Sequence, residues 1–126
     1  MTVLDASAVL ALIQDEPGAD LVASSLDGAT MSTVNIAEVV GKIIDAGLDG
    51  REAFDLLVAA GVGVVPLTAE DALLAGALRE VQGGHALSLG DRCCLALAVR
   101  SAPPDVLTAD RLWAELDLPV QVRLIR

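Results

Sequence analysis

Short apolar runs alternate with helix-periodic runs along all 126 residues, and this alternation limits the possible folds more than any single motif does. Residues 2–5, 29–32, 63–67, 105–108 and 120–124 have the length and composition of strands. Helical patterns fall at 7–14, 19–26, 33–46, 51–60, 69–81, 88–100 and 111–116, with a loop at 82–87. Strands that alternate with helices predict an α/β chain: a three-layer α/β/α domain with a central, mainly parallel β-sheet. The length suits one domain spanning residues 1–126.

Local signals refine that outline. Pro66 cannot donate to a strand ladder, so it marks a strand end or a sheet edge. Thr68 and Asp71 have the spacing of a capping box. The run 88–100 is apolar on almost every side and is expected to be the most buried helix, ended by Pro103 and Pro104.

Composition excludes several classes. With 54% hydrophobic residues the chain is not disordered. No apolar run approaches the roughly 20 residues of a membrane span, and the N-terminus has no basic region leading into an apolar one, so no membrane partner and a cytoplasmic location are expected. Cys93 and Cys94 are adjacent on a helix, which is no disulfide framework; they read as small core residues in a reducing compartment. The net charge is −10 and Lys42 is the only lysine, so the basic stripe of a general nucleic-acid binder is missing. Nucleic acid is then irrelevant, or the negative charge gathers where a cation neutralises it, or a basic partner covers it.

Four acids stand out, each with a structural explanation beside the chemical one. Asp5 closes the first strand and could cap the helix that follows. Glu38 could pair with Lys42 one turn later, but Asn35 shares its face and is a poor helix-interior residue unless it holds something. Asp91 lies three residues after Ser88, as in a capping box, although Asp is a methylene shorter than the usual Glu. Asp110 repeats the pattern of Asp5: apolar strand, acid at the tip, helix after. A parallel sheet can bring two strand tips and two helix ends to one edge. Such acids would repel by roughly 1–4 kcal/mol per close pair without a cation. Oxygen donors without Cys or clustered His suit Mg²⁺ or Mn²⁺ and not zinc, since His85 is the only histidine.

Taken in order, Val3-Leu4-Asp5-Ala6-Ser7-Ala8, Asn35-Ile36-Ala37-Glu38-Val39, Leu89-Gly90-Asp91-Arg92 and Leu107-Thr108-Ala109-Asp110-Arg111 resemble the acidic motifs of PIN-domain ribonucleases. In length and motif order the chain is most similar to the VapC toxins of type II toxin–antitoxin pairs. The resemblance implies a metal-dependent endoribonuclease, with Asp5, Glu38, Asp91 and Asp110 around Mg²⁺ or Mn²⁺. It also implies supporting roles for Ser7, Asn35 and Thr108. Water activated by the metal would attack the phosphorus in line and leave a 3′-hydroxyl and a 5′-phosphate. An RNA substrate, a cognate VapB-like antitoxin and a homodimer follow from the same resemblance. Arg92 and Arg111, each beside one of these acids, are candidate contacts for substrate phosphates or else arginines solvated on a helix surface. The resemblance implies one or two ions; the motif around Asp91 often carries a second acid close by where this chain has Arg92, a departure that weakens the claim for a second ion.

Two other acidic-pocket folds fail on named residues. A receiver domain needs a lysine near its fifth strand, whereas Lys42 is in a mid-chain helix. A haloacid-dehalogenase-like phosphatase needs an Asp two residues after its nucleophile, where Ser7 stands. The remaining alternative is a PIN-fold RNA-processing nuclease, or a non-catalytic RNA- or protein-binding module, that is not a toxin.

Overall fold

The strands Val3–Leu4 and Thr30–Ser32 are short because a helix starts at or just past the end of each, at Ala6 and Thr33. The computed structural model describes all 126 residues. The order is β1 (Val3–Leu4), α1 (Ala6–Ile13), α2 (Ala19–Ser25), β2 (Thr30–Ser32), α3 (Thr33–Asp45), α4 (Gly50–Ala59), β3 (Gly63–Val65), α5 (Ala69–Ala77), α6 (Leu89–Val99), β4 (Asp105–Thr108) and β5 (Gln121–Leu124). The runs expected to be wholly helical at 69–81 and 111–116 differ. α5 stops at Ala77 and tightens into a 3₁₀ turn over Leu78–Glu80, and Arg111–Glu115 is 3₁₀ throughout. The expected loop 82–87 also contains a 3₁₀ turn, Gly84–Ala86. Each is a segment of three to five residues, too short to recover the cost of nucleating an α-helix.

The five strands form one sheet in the order β3-β2-β1-β4-β5, and every pairing is parallel. β3, with Pro66 just past its end, is an edge strand. Side chains alternate across the sheet as a pleated strand requires. Leu4, Met31 and Leu107 pack into a cluster with Val9, Val39 and Leu57, while Val3 and Val106 pack on the opposite face against Leu95 and Trp113. Residues 92–98 of α6 are all buried, as its all-round apolar pattern predicts. Cys93 and Cys94 are free thiols inside this helix. No helix is long and apolar enough to cross a membrane.

One consequence of this topology positions the site. From β1 the chain moves outward to β2 and β3, then crosses back to β4 on the other side of β1. The carboxyl ends of β1 and β4 therefore flank the switch point, where open α/β sheets leave a crevice. Leu4 pairs with Leu107, so Asp5 and Thr108 emerge side by side at its mouth.

Candidate functional site

Asp5 occupies the N-cap position of α1, but its carboxylate makes no capping bond. It instead accepts two hydroxyls on one oxygen: Ser7 Oγ at 2.5 Å and Thr108 Oγ1 at 2.9 Å. The backbone determines that arrangement. Ser7 Oγ accepts the Ala109 N–H, and Thr108 Oγ1 accepts the Asp110 N–H, both at 3.0 Å. With an incoming donor on each oxygen, each hydroxyl directs its own hydrogen at Asp5. The other carboxylate oxygen of Asp5, Oδ1, has no such partner. Asp5 is 3% exposed. Burial pushes its pKa up to about 6; the Ser7 and Thr108 hydrogen bonds oppose that, and the charges of Asp91 and Glu38 add to it.

Glu38 reaches the same edge from α3, whose start is capped by Ser32. The expected alternative, an ion pair with Lys42, does not form. Asn35 is fully buried; its Nδ2 donates to Glu38 Oε1 at 2.8 Å and to the Gly90 carbonyl at 3.0 Å. Asn35 thus ties Glu38 to the first turn of α6. Its Oδ1 is buried with no partner. Gly90 was missed in the sequence. A Cβ there would overlap the Glu38 carboxylate, so the missing side chain is the space that Glu38 fills. A glycine in the first turn of a helix, where it is unfavourable, was the available signal.

Asp91 does form the capping box: Ser88 Oγ accepts its N–H at 3.1 Å, and its Oδ2 accepts the Ser88 N–H at 2.9 Å. The shorter side chain therefore spans the box after all, as it also does for Thr68 and Asp71. Capping occupies only Oδ2. The group remains half-buried, and burial chiefly, with Asp110 adding, holds its pKa above the ordinary range. Asp110 caps the Arg111–Glu115 turn through Oδ1, which accepts the Leu112 N–H at 3.0 Å. Each of these acids keeps one oxygen outside its cap.

The two arginines part company. Arg111 is exposed beside Asp110. Arg92, a candidate for a phosphate or for the solvated surface, is instead buried, and its Nη1 donates to the Ala75 carbonyl at 2.8 Å. The cause is helix geometry: a residue one step from Asp91 turns about 100° around α6, and there it meets α5 through Ala75, Cys93 and Ala96.

Asp5, Glu38, Asp91 and Asp110 thus come from four elements to one sheet edge. No three His, Cys, Asp or Glu side chains are gathered closely enough here to hold a metal ion. In kind, however, the donors fit a hard dication: all are oxygens, two acids have their pKa raised, and the buried Asn35 Oδ1 lacks a donor.

The sequence profile of the PIN domain matches residues 2–118. No curated protein matches significantly. Among solved structures, a toxin–antitoxin complex from Klebsiella pneumoniae is similar with a TM-score of 0.76 at 16% identity, over 100% of this chain and 98% of that one. VapBC2 from Rickettsia felis, bound to a DNA fragment from its promoter, is similar with a TM-score of 0.72 at 14% identity, over 98% of this chain and 97% of the other.

Proposed function

The chain belongs to the PIN-domain family, and on that premise we propose that it is a metal-dependent endoribonuclease acting as the toxin of a VapBC-like pair. The observation that carries the reading is Asp5: a buried acid at the switch point, held by two oriented hydroxyls, with acids and no cation for charged neighbours. Two hydroxyls solvate that charge but no cation in the fold offsets it, so a ligand is the natural counter-charge.

Asp5, Glu38, Asp91 and Asp110 would hold Mg²⁺ or Mn²⁺. When bound, such an ion lowers the pKa of water and stabilises charge on the attacking and leaving oxygens of a phosphodiester. The protein's own part is preorganisation. Ser7 and Thr108 aim the Asp5 carboxylate, and Asn35 anchors Glu38 to α6. The caps restrain Asp91 and Asp110 while leaving an oxygen of each for other work. A constellation supported in this way loses little entropy when substrate arrives.

The toxin assignment and its antitoxin partner are supported by the two structural neighbours, each solved as a toxin–antitoxin assembly. An apolar groove of about 330 Å³ between α1 and α4, with Leu48 and Leu56 left exposed beside it, is consistent with a protein partner. Homodimer formation and a cytoplasmic location belong to the same reading.

Expression alone in a bacterium tests it, with RNA ends mapped after incubation of the purified protein with Mg²⁺. Growth arrest relieved by Asp5→Asn, together with 5′-phosphate ends made by the wild type alone, is the expected result. Cleavage without arrest would leave a processing nuclease. RNA binding without cleavage would leave a binding module.

A further inference from the structure

A strand of RNA needs cations to hold it, and the structure commits most of those available. Arg51, Arg100 and Arg123 are paired with Asp55, Asp71 and Asp105, Arg92 is buried, and Arg126 donates to the Pro17 carbonyl. Arg79 is different. It is exposed, and its Nη2 lies 2.8 Å from Nδ1 of His85 and within 4 Å of no carboxylate, in a chain with 18 acids.

That contact is built by a tight hairpin. The 3₁₀ turns Leu78–Glu80 and Gly84–Ala86 lie against each other, and a Cβ on Gly84 would overlap the Leu78 carbonyl. Gly83 closes the bend at φ 79°, a left-handed conformation that side chains disfavour. Guanidinium has only donors, so Nδ1 must accept and the imidazole proton sits on Nε2, a second donor. The hairpin leads within three residues to Ser88, which caps the helix carrying Asp91. On its other side Gly83 packs against Leu116, and Gln82 and Gly83 share a cleft with Leu112 and Glu115, in the turn that begins at Asp110. It is therefore wedged between two of the four acidic elements.

We infer that Arg79 and His85 form a phosphate-binding pair that holds the RNA backbone beside the cleavage site. The inference rests on the ribonuclease reading above. Arg79 supplies an uncompensated, forked cation and His85 both aims it and adds the Nε2–H, a combination suited to phosphate oxygens. This pair takes the phosphate-contact role for which the buried Arg92 was a candidate.

The test is binding of a fluorescent single-stranded oligoribonucleotide to the full chain in EDTA across a salt series, followed by steady-state cleavage with Mg²⁺. Arg79→Gln should lower the slope of log K against log salt by about 0.7 and weaken binding roughly three- to tenfold. In cleavage, its defect should fall on KM. Arg79→Lys should restore most of the slope, His85→Ala should weaken binding less than Arg79→Gln, and Arg51→Gln should match wild type. A wild-type slope and KM for Arg79→Gln, in a protein that binds and cuts RNA, overturns this inference and leaves the ribonuclease reading standing. A wild-type protein that neither binds nor cuts RNA overturns both.

Discussion

The two ends of the sheet treat a buried aspartate in opposite ways, and strand β4 connects them. At its first residue, Asp105 is 8% exposed and accepts Arg123 on both oxygens, at 3.0 and 3.1 Å, with Thr2 Oγ1 at 2.8 Å. At its last residue, Thr108 reaches Asp5, which has hydroxyls for partners and acids for charged neighbours. Asp71 belongs with Asp105. It is as buried as Asp5, at 3%, yet Arg100 clamps both of its oxygens at 2.8 and 2.9 Å and holds its pKa below the ordinary range. Burial alone does not mark a functional acid. The distinction is whether the fold supplies the counter-charge.

The largest expected effect strikes at that distinction. Asp5→Asn keeps an acceptor for Ser7 and Thr108 but removes the charge, so cleavage should fall by at least ~100-fold. The metal-free protein should at the same time become more stable at pH 8, by up to ~3 kcal/mol, since a rise from 3.8 to about 6 corresponds to that much destabilisation of the charged form. Urea unfolding in EDTA measures it; a less stable Asp5→Asn protein would mean that the charge is structurally satisfied. Asp71→Asn should do the reverse. It should lose about 1–3 kcal/mol of stability, because a charge-assisted pair with a half-exposed arginine is broken, while cleavage per folded molecule holds. A large loss of activity in that variant, without unfolding, would place Asp71 in the wrong group.

Much of this contrast was legible in the sequence. The alternation of strands and helices gave the parallel sheet, and strand–acid–helix patterns at both Asp5 and Asp110 pointed to one edge. Asn35 was out of place in a helix, and the structure shows it tied to Glu38 and Gly90. What could not be read was pairing across distance. Asp71 finds Arg100 29 residues away and Asp105 finds Arg123 18 residues away, and only tertiary packing selects them. Arg92 shows the same limit in the other direction, since a neighbour in sequence faces another direction on a helix. The caps on Asp91 and Asp110 were proposed as alternatives to chemistry, but a carboxylate has two oxygens and a cap engages one.

A smaller effect separates the two groups by pH. Asp5 has its folded pKa raised above the unfolded value, so its destabilisation is absent below pH 3.8 and grows as pH rises through about 6. In EDTA, lowering the pH from 7.5 to 5 should therefore stabilise the wild type relative to Asp5→Asn by on the order of 1 kcal/mol. Asp71 has its pKa lowered, so its contribution is present above about pH 4 and disappears as pH falls further. The wild-type minus Asp71→Asn difference should shrink on acidification where the Asp5 difference changes in favour of the wild type. Parallel pH profiles for the two variants would erase the contrast.

The smallest expected effect on stability tests whether the unpaired end is held open for Glu38. Gly→Ala inside a helix ordinarily stabilises by about 0.5–1 kcal/mol, because the unfolded chain loses freedom. At Gly90 the added Cβ would overlap the Glu38 carboxylate, a flexible group that can swing away. Swinging away costs the 2.8 Å bond from Asn35, whose Oδ1 is already unpartnered, so the ordinary gain should be cancelled to within about 0.5 kcal/mol. Cleavage should suffer more than stability does, because the displaced carboxylate leaves the position that Asn35 sets for it. Gly76, in α5 with open space around its Cβ position, is the matched control. Gly76→Ala should show the normal gain by urea unfolding with cleavage intact. If Gly90→Ala gains as much as Gly76→Ala and cuts RNA equally well, Glu38 is an ordinary exposed acid on α3, and only three acids remain at the carboxyl end of the sheet.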